Sequence, residues 1–406
     1  MRVNGERLRA DLERLATFGR ADDGAVSRPA FSAADVAARQ WFAGRAREAG
    51  LSARLDGVLN VLIGEDTGAP AVWTGSHLDT VPEGGMFDGA VGSVAALECL
   101  RRLREERVPL RRDVRGVAFS DEEGAYLGFL GSKSLTGGLA GADVRAYRGA
   151  DGRTLAEAVA AAGGDLTPSV SGDGPDPEIH RFVELHIEQG PSLEAGGVPI
   201  GAVTSIVGVA NATVRFEGRP DHAGTTPMHL RQDALRGAVA FLHAVPDLPR
   251  RVGRSDAVIT CGRIGVHPGA DNVVPSTATA HLEFRDPTMA GMRNLRESLN
   301  RLAGECAAAA GLRVSFSLDN MTAPTDTDAG VTEVIERQAK RLGLGTRAMP
   351  SGAAHDSQVV AARAPIGMVF VPSRDGRSHS RFESTAWSDI VNGANVLLGT
   401  LHELAA

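Results

Sequence analysis

Four short apolar runs in this chain are each followed, within a few residues, by histidine or glutamate. Runs of this length, bounded by Gly- and Pro-rich turns, are typical of buried β-strands. With the polar residues that follow them, the runs are Ala71–Thr74 with His77, Asp113–Phe119 with Glu122 and Glu123, Arg181–Leu185 with His186, and Met368–Val371 with His379. The repetition constrains the fold, because a single sheet could bring all these side chains to one edge.

Segments with helical periodicity lie between the apolar runs. Leu8, Leu12 and Leu15 recur at the spacing of one helix face. A second helix is predicted to begin at Ser32, where Asp35 completes a pair that resembles a capping box. Strands that alternate with helices predict an α/β domain built on one sheet.

The pattern changes near residue 207 and changes back after Pro324. Residues 207–321 show a β-β-α-β-β-α-β order, which predicts a two-layer α+β domain with both helices on one face. A chain of 406 residues exceeds the usual size of one hydrophobic core. We therefore predict a discontinuous catalytic domain, residues 1–206 and 322–406, with 207–321 inserted.

Composition narrows the possible partners and compartment. The net charge is −7 and there is no long basic run, so nucleic acid is not expected as a partner. The three cysteines are scattered, which is typical of a reducing compartment. We see neither a signal-peptide core nor an apolar run of bilayer length, so a cytoplasmic protein with no membrane partner is predicted.

The four strand ends predict a metal site. Ligands of open α/β sheets bind beyond the carboxyl ends of the strands, and Asp88 follows His77 by 11 residues in a Gly- and Pro-rich loop. Alone, each histidine is more often structural, and the pair Glu122 and Glu123 is more often a solvated turn. Together they offer the nitrogen and oxygen ligands of a divalent ion. One glutamate of the pair can bind metal while the other moves protons to and from water.

Six motifs follow one another along the chain. They are GSHLDTVPEGGMFDG (75–89), SDEEG (120–124), ELHIEQGPSLE (184–194), HAGTTPM (222–228), DNVVP (271–275) and RSHS (377–380). In this order they resemble the motifs of the amidase/hydantoinase/carbamoylase group of the dinuclear zinc metallopeptidase superfamily, which includes N-carbamoyl-L-amino-acid hydrolases, β-ureidopropionases and allantoate amidohydrolases. The short gap from His77 to Asp88, and a histidine at position 186, resemble this group more than the peptidase branches.

The resemblance implies a metallopeptidase-like mixed sheet, an inserted dimerisation or lid domain, and two divalent metal ions per subunit. Asp88 would bridge the ions, His77 and Glu123 would complete separate ions, and His186 and His379 would be the remaining ligands. Zinc is expected, with manganese, cobalt and nickel left open, because affinity order alone does not choose among them. The resemblance also suggests a cis peptide between Asp88 and Gly89.

Further roles follow from the resemblance alone. Glu122 would be the general acid and base, and Asp79 would orient a ligand imidazole. His222, otherwise a loop histidine without a role, would stabilise an oxyanion in the active site of the partner subunit of a homodimer. The expected substrate-binding residues are Gln189, Asn272, which could instead be a simple turn residue, and Arg285, which could instead be a solvated strand end.

The expected reaction is hydrolysis of the linear C–N amide of a ureido acid, most simply an N-carbamoyl-L-amino acid. Allantoate amidohydrolysis is the alternative, and an aminoacylase, a peptidase or a non-catalytic binding protein fits the motifs less well. Three positions depart from the group's usual pattern, and we expect them to affect the substrate pocket more than the reaction. They are Ala354, Tyr126 and Arg381.

Overall fold

The computed structural model describes residues 1–65, 67–174, 177–254 and 256–406. The chain divides into two compact units, which are described separately. The first unit contains Met1–Thr204 and Asp326–Ala406, and the second contains Ser205–Thr325.

Strands and helices are numbered along the described residues. The strands are β1 (Ala53–Leu55), β2 (Val61–Ile63), β3 (Ala71–His77), β4 (Val114–Phe119), β5 (Ile179–Ile187), β6 (Ile200–Ile206), β7 (Gly208–Glu217), β8 (Val258–His267), β9 (Thr277–Asp286), β10 (Arg313–Thr322), β11 (Thr325–Asp326), β12 (Thr346–Ser351) and β13 (Ile366–Val371). The helices are α1 (Gly5–Ala16), α2 (Ala33–Glu48), α3 (Ala90–Glu105), α4 (Leu130–Leu135), α5 (Leu155–Ala161), α6 (Thr167–Ser171), α7 (Ser192–Gly196), α8 (Ala234–Ala244), α9 (Leu248–Arg251), α10 (Met289–Ala309), α11 (Ala329–Arg341), α12 (Asp356–Val360) and α13 (Trp387–Ala405).

A mixed sheet forms the centre of the first unit, with strand order β1-β2-β4-β3-β5-β13-β6-β11 and β12 paired to β6. The central strands β4, β3, β5 and β13 run parallel, whereas β1, β2 and β6 pair antiparallel. The predicted α/β class with a mixed sheet is confirmed. The four parallel strands are those that precede the predicted metal ligands, so their carboxyl ends share one edge of the sheet.

The apolar runs became central strands because both faces of the sheet's middle are covered. Strands β3 and β13 are buried along their whole length. Helices α3 and α13 pack against them, and Leu8, Leu12 and Leu15 of α1 join the same core. As expected, the side chain of Ser32 caps α2 by accepting from the backbone N–H of Asp35.

The structure differs from expectation in some strands. The run predicted as one strand over residues 58–63 contributes only Val61–Ile63. The Asp56 carboxylate accepts the backbone N–H groups of Val58 and Asn60, and Leu59 has a φ of 66°, so this part forms a turn. Strands β1, β6, β11 and β12 were not predicted. All four lie outside the four central parallel strands.

The second unit contains a four-stranded antiparallel sheet with order β10-β7-β9-β8. Alternate residues of β7 and β9, including Phe216 and Phe284, are buried against α8 and α10. The opposite face carries polar side chains such as Thr213 and His281, which hydrogen-bond to each other at 3.1 Å. Among the described residues of both units, no helix is long and apolar enough to cross a membrane.

Candidate metal centre

The sheet of the first unit brings the predicted ligands together around one carboxylate. Asp88 Oδ1 lies 3.2 Å from His186 Nε2 and 3.7 Å from His77 Nε2. Asp88 Oδ2 lies 3.3 Å from His379 Nε2, which is also 3.5 Å from Glu123 Oε2. Two groups of possible ligands, His77–Asp88–His186 and Asp88–Glu123–His379, therefore share Asp88.

Glu122 lies beside these groups. Its Oε2 is 3.7 Å from His77 Nε2, and its side chain is 9% exposed. Glu122 also forms a third possible group with His77 and Glu123. The adjacent glutamates thus face the same cluster, with Glu122 nearer His77 and Glu123 nearer His379. This arrangement leaves Glu122 free for proton transfer if Glu123 is a ligand.

A tight turn places Asp88 against His77. Gly89 has φ 63° and ψ −43° and precedes α3. A Cβ at Gly89 would lie 2.4 Å from the His77 ring, so only glycine allows this approach. Among the described residues the cis peptide is His267–Pro268, and Asp88–Gly89 is trans. The expected cis bond was therefore wrong, because the positive φ of Gly89 already makes the turn.

Backbone carbonyls orient two of the ligand imidazoles. His77 Nδ1 lies 3.0 Å from the carbonyl oxygen of Asp79, and His186 Nδ1 lies 2.9 Å from that of Ile187. A carbonyl can only accept, so Nδ1 carries the hydrogen in each ring. In the neutral imidazole, Nε2 then carries the lone pair that a metal ligand needs, whereas the protonated ring of His186 donates from Nε2 to the Asp88 carboxylate.

Asp79 serves the site differently from the expectation. Its carbonyl, not its carboxylate, orients His77. The carboxylate accepts the backbone N–H of Glu123 at 3.2 Å and lies 3.4 Å from Arg39 Nη2. Asp79 thus ties the end of β3 to the loop after β4, which carries both glutamates.

Arg39 is a supporting residue that the sequence analysis missed. It is fully buried in α2, bonds to Asp35, and donates to the carbonyl of Phe119 at 2.9 Å. Its contact with Asp79 connects α2, β3 and β4 beneath the cluster. The available signal was the i,i+4 spacing of Asp35 and Arg39 on the apolar face of α2, which places an ion pair inside the protein.

His355 is a second residue that was missed. It is buried, and its ring packs edge-on against that of His186 with centroids 4.6 Å apart. His355 Nε2 lies 2.8 Å from Ser351 Oγ. His355 therefore supports the ring of His186 from the segment that contains Ala354. Ala354 itself is not among the residues with positive φ, so alanine is unstrained there.

Burial of several acidic groups shifts their pKa values. Burial, followed by repulsion from Asp88, raises the pKa of Glu123 to about 8, and burial and neighbouring carboxylates raise the pKa of Glu122 well above its usual range. Burial opposes ionisation of Asp88, but hydrogen bonds with His186 and His379 outweigh it and hold its pKa well below the usual range. The hydrogen bond with Asp88 raises the pKa of His379 to about 9.

These residues fit a divalent metal ion. The donors are imidazole nitrogens and carboxylate oxygens, which suit first-row divalent ions. Glu123 Oε1 is buried with no hydrogen-bond partner, which is costly unless a cation or another donor satisfies it. A cation would also relieve the repulsion among the carboxylates. The His, Asp and Glu groups thus form a site for divalent metal.

Gln189 lies at the edge of this cluster. Its Nε2 donates to Asp88 Oδ2 at 2.8 Å, and its backbone N–H donates to Ser373 Oγ. Gln189 Oε1 is buried without a hydrogen-bond partner. Gln189, which was predicted to bind substrate, is therefore close to the metal cluster. Its Oε1 has no hydrogen-bond partner and can accept a hydrogen bond.

The other predicted site residues belong to the second unit. His222 is exposed, and its Nδ1 accepts from the backbone N–H groups of Gly224 (3.0 Å) and Thr225 (3.2 Å). In the neutral imidazole, the hydrogen then lies on Nε2, which is left as a donor. The carbonyl of Asn272, also exposed, accepts from the residue after His222. Arg285, on β9, pairs with Glu283 at 2.8 Å.

The remaining departures, Tyr126 and Arg381, have partners outside the cluster. The Tyr126 ring packs near Phe31, and its hydroxyl donates to Asp151 at 2.7 Å. Arg381 pairs with Asp23 at 2.7 Å. Both side chains thus have structural partners in the first unit, and neither position is one of the proposed metal ligands.

Comparison with known proteins agrees with this site. Peptidase family M20/M25/M40 matches residues 73–403. An N-carbamoyl-L-amino-acid amidohydrolase of Paenarthrobacter aurescens is 35% identical, covering 99% of this chain and 98% of that protein. An allantoate amidohydrolase of Escherichia coli is 34% identical over 96% of each chain.

A solved structure agrees equally well. An amidase of the hydantoinase/carbamoylase family from Burkholderia multivorans has a TM-score of 0.89 and 34% identity, covering 100% of this chain and 98% of that one. The family match, the full-length relatives and the shared fold all point the same way. The chain belongs to Peptidase family M20/M25/M40, with the hydantoinase/carbamoylase amidases as its relatives.

Proposed function

We propose that this protein is a metal-dependent amidohydrolase that cleaves the linear C–N amide of an N-carbamoyl-L-amino acid. The products would be the amino acid, ammonia and carbon dioxide. The observation that carries the proposal is Asp88, one carboxylate shared by two groups of ligands, with Glu122 beside them. Full-length relatives with the name N-carbamoyl-L-amino-acid amidohydrolase support the substrate class.

The residues that would hold two divalent ions are Asp88 between them, His77 and His186 on one side, and Glu123 and His379 on the other. Zinc is the proposed metal, and manganese, cobalt and nickel have compatible ligand preferences. When bound, such ions lower the pKa of water and polarise a carbonyl oxygen.

Glu122 would carry the proton through the reaction. Its carboxylate would take a proton from the water whose oxygen attacks the carbamoyl carbon. It would return that proton to the nitrogen of the amino acid as the C–N bond breaks, and the released carbamate would decompose to ammonia and carbon dioxide. Burial of Glu122 supports this role, because a raised pKa suits a group that must both accept and donate at neutral pH.

Gln189 of the first unit and three residues of the second unit would bind the substrate. The Nε2–H of His222 could stabilise the oxyanion, and a homodimer through the second unit would supply it to the partner subunit. The planar fork of Arg285 suits a carboxylate, and Asn272 and Gln189 would bind the ureido group. A cytoplasmic location fits a substrate that is a small metabolite.

An ammonia-release screen tests the function. Protein stripped with a chelator would be assayed with added zinc, manganese, cobalt or nickel on N-carbamoyl-L-amino acids, their D-enantiomers, N-carbamoyl-β-alanine and allantoate. We expect metal-dependent release from L-enantiomers. Preferential release from allantoate would favour the alternative that the Escherichia coli relative suggests. Tight metal binding without release from any ureido acid would indicate a binding protein.

A further inference from the structure

Glu383 contacts the loop that carries Asp88, although it lies 295 residues away in the sequence. Glu383 is 7% exposed. Glu383 Oε1 accepts the backbone N–H of Phe87 at 2.8 Å and that of Asp88 at 3.1 Å. One oxygen therefore holds the two peptide groups that lead into the shared ligand.

The second oxygen of Glu383 reaches Asp88 through a hydroxyl. Ser378 Oγ lies 2.9 Å from Glu383 Oε2 and 2.7 Å from Asp88 Oδ2. Asp88 Oδ2 is also the oxygen that faces His379. The carboxylate of Glu383 thus contacts the Asp88 segment at its main chain, and the Ser378 hydroxyl, whose single hydrogen can go to either carboxylate, lies between the two side chains.

The loop around Glu383 is shaped for this carboxylate. A Cβ at Gly85 would lie 2.1 Å from Glu383 Oε1, so a side chain there would displace the acid. Glu383 also lines a cavity of about 1080 Å³ together with Gly85 and Phe87. A carboxylate that served only solubility would be exposed to solvent. The Glu383 side chain is instead buried and accepts hydrogen bonds from two backbone amides.

We propose that Glu383 is a positioning residue for Asp88. It sets the main-chain path of Asp88 through the two amides and the rotation of the Asp88 carboxylate through Ser378. In that orientation one carboxylate can face His77 and His186 with one oxygen and His379 with the other. The inference rests on the proposed metal centre and is independent of the substrate.

Cobalt binding to the metal-free protein tests the inference without using activity. Co²⁺ would be titrated into chelator-treated wild type, Glu383→Ala and Glu383→Gln, with calorimetry and visible absorption as readouts. We expect Glu383→Ala to weaken Co²⁺ binding by roughly 10–100-fold, the usual cost of losing an outer hydrogen-bond partner of a ligand. Its visible absorption should change, because the ligand field changes. Glu383→Gln keeps an acceptor for the amides and should lose less.

Glu98→Gln is the matched control. Glu98 is also a buried carboxylate of the first unit that accepts a backbone amide, from Asn4 at 2.8 Å, but it belongs to a different network with Arg7. It should lower the thermal stability of the protein while leaving Co²⁺ affinity and absorption unchanged. If Glu383→Ala behaves like Glu98→Gln, the positioning role is wrong.

Ser378→Ala provides a test if Glu383→Ala does not fold. It removes only the hydroxyl link, and we expect Co²⁺ affinity to fall by about tenfold. Unchanged affinity would overturn the inference. Wild type that binds no Co²⁺ would overturn both this inference and the proposed metal centre. Wild type that binds Co²⁺ but hydrolyses no ureido acid would overturn the proposed function and leave the role of Glu383 standing.

Discussion

The two units hold most of their predicted functional residues in opposite ways. In the first unit, His77, Asp88 and His186 are 2%, 4% and 1% exposed and hydrogen-bond to buried groups, whereas the side chain of His379 is 53% exposed. In the second unit, His222 and Asn272 are exposed on loops. Metal ligands need fixed geometry and few competing waters, whereas groups that meet a substrate must remain reachable.

Although His222 is exposed, hydrogen bonds within its own loop fix the tautomer of its neutral imidazole. Two backbone N–H groups of its own loop hold Nδ1, so the donor hydrogen lies on Nε2 without any help from burial. The first unit achieves the same control with contacts between distant segments, such as Arg39 with Phe119. The comparison predicts that loss of a ligand in the first unit removes metal, and that loss of a functional residue in the second unit impairs only the handling of the substrate.

Asp88→Asn should have the largest effect. It weakens both ligand groups at once, so we expect metal affinity and ammonia release to fall by more than the roughly 10–100-fold cost of an outer partner. Metal analysis after dialysis, with ammonia-release kinetics, measures both. Asp11→Asn, which changes a buried carboxylate paired with Arg101, is the control and should keep metal. An Asp88→Asn protein with full metal content would refute the shared-ligand role.

Glu122→Gln should separate metal binding from chemistry. We expect kcat to fall by about 10²–10⁴-fold, because the amide cannot transfer the proton. Metal content and the Co²⁺ spectrum should stay close to those of the wild type, since Glu123 remains. Near-normal turnover in a metal-loaded Glu122→Gln protein would rule out Glu122 as the general acid and base.

His222→Ala should lower kcat by about 10²–10³-fold, the typical cost of one oxyanion donor, with metal content unchanged. His229→Ala, another exposed histidine of this loop, is the control. Co-expression of His222→Ala with Asp88→Asn tests whether His222 acts across a dimer. Random pairing should restore about a quarter of wild-type activity if it does. No restoration would count against action in the partner subunit.

Arg285→Lys should have the smallest effect, a KM raised about tenfold with kcat little changed, because lysine cannot form the paired hydrogen bonds of the guanidinium. Arg215→Lys is a close control, since Arg215 pairs with Glu217 two residues away as Arg285 pairs with Glu283. Equal KM values for the two variants would remove Arg285 from the binding site.

Local pattern was sufficient for the central parallel strands and for most proposed ligands. His77 and His186 lie at the ends of parallel strands, and Glu123 and His379 lie in the segments that follow such strands. Apolar runs and turn residues are local signals, and the carboxyl ends of parallel strands share an edge. The α/β sheet and the clustering of the ligands could therefore be predicted, whereas the mixed sheet was implied by the family resemblance.

Contacts between distant segments could not be predicted in this way. The use of the Asp79 carbonyl in place of its carboxylate, the support from Arg39 and His355, and the position of Glu383 depend on how loops and helices pack. The periodicity of apolar residues predicts which face of a helix is buried. It does not predict which buried acceptor will bond to a given buried donor.

By itself, the sequence determined the fold class and the chemical identity of the cluster, because both follow from short-range patterns and residue type. Only the tertiary structure decided which atom of Asp79 orients His77, that the Asp88–Gly89 peptide is trans, and that Glu383 holds Asp88. The Asp79 carboxylate is engaged by groups that are 40 and 44 residues away, and Glu383 by amides that are 295 and 296 residues away, so packing chose these partners.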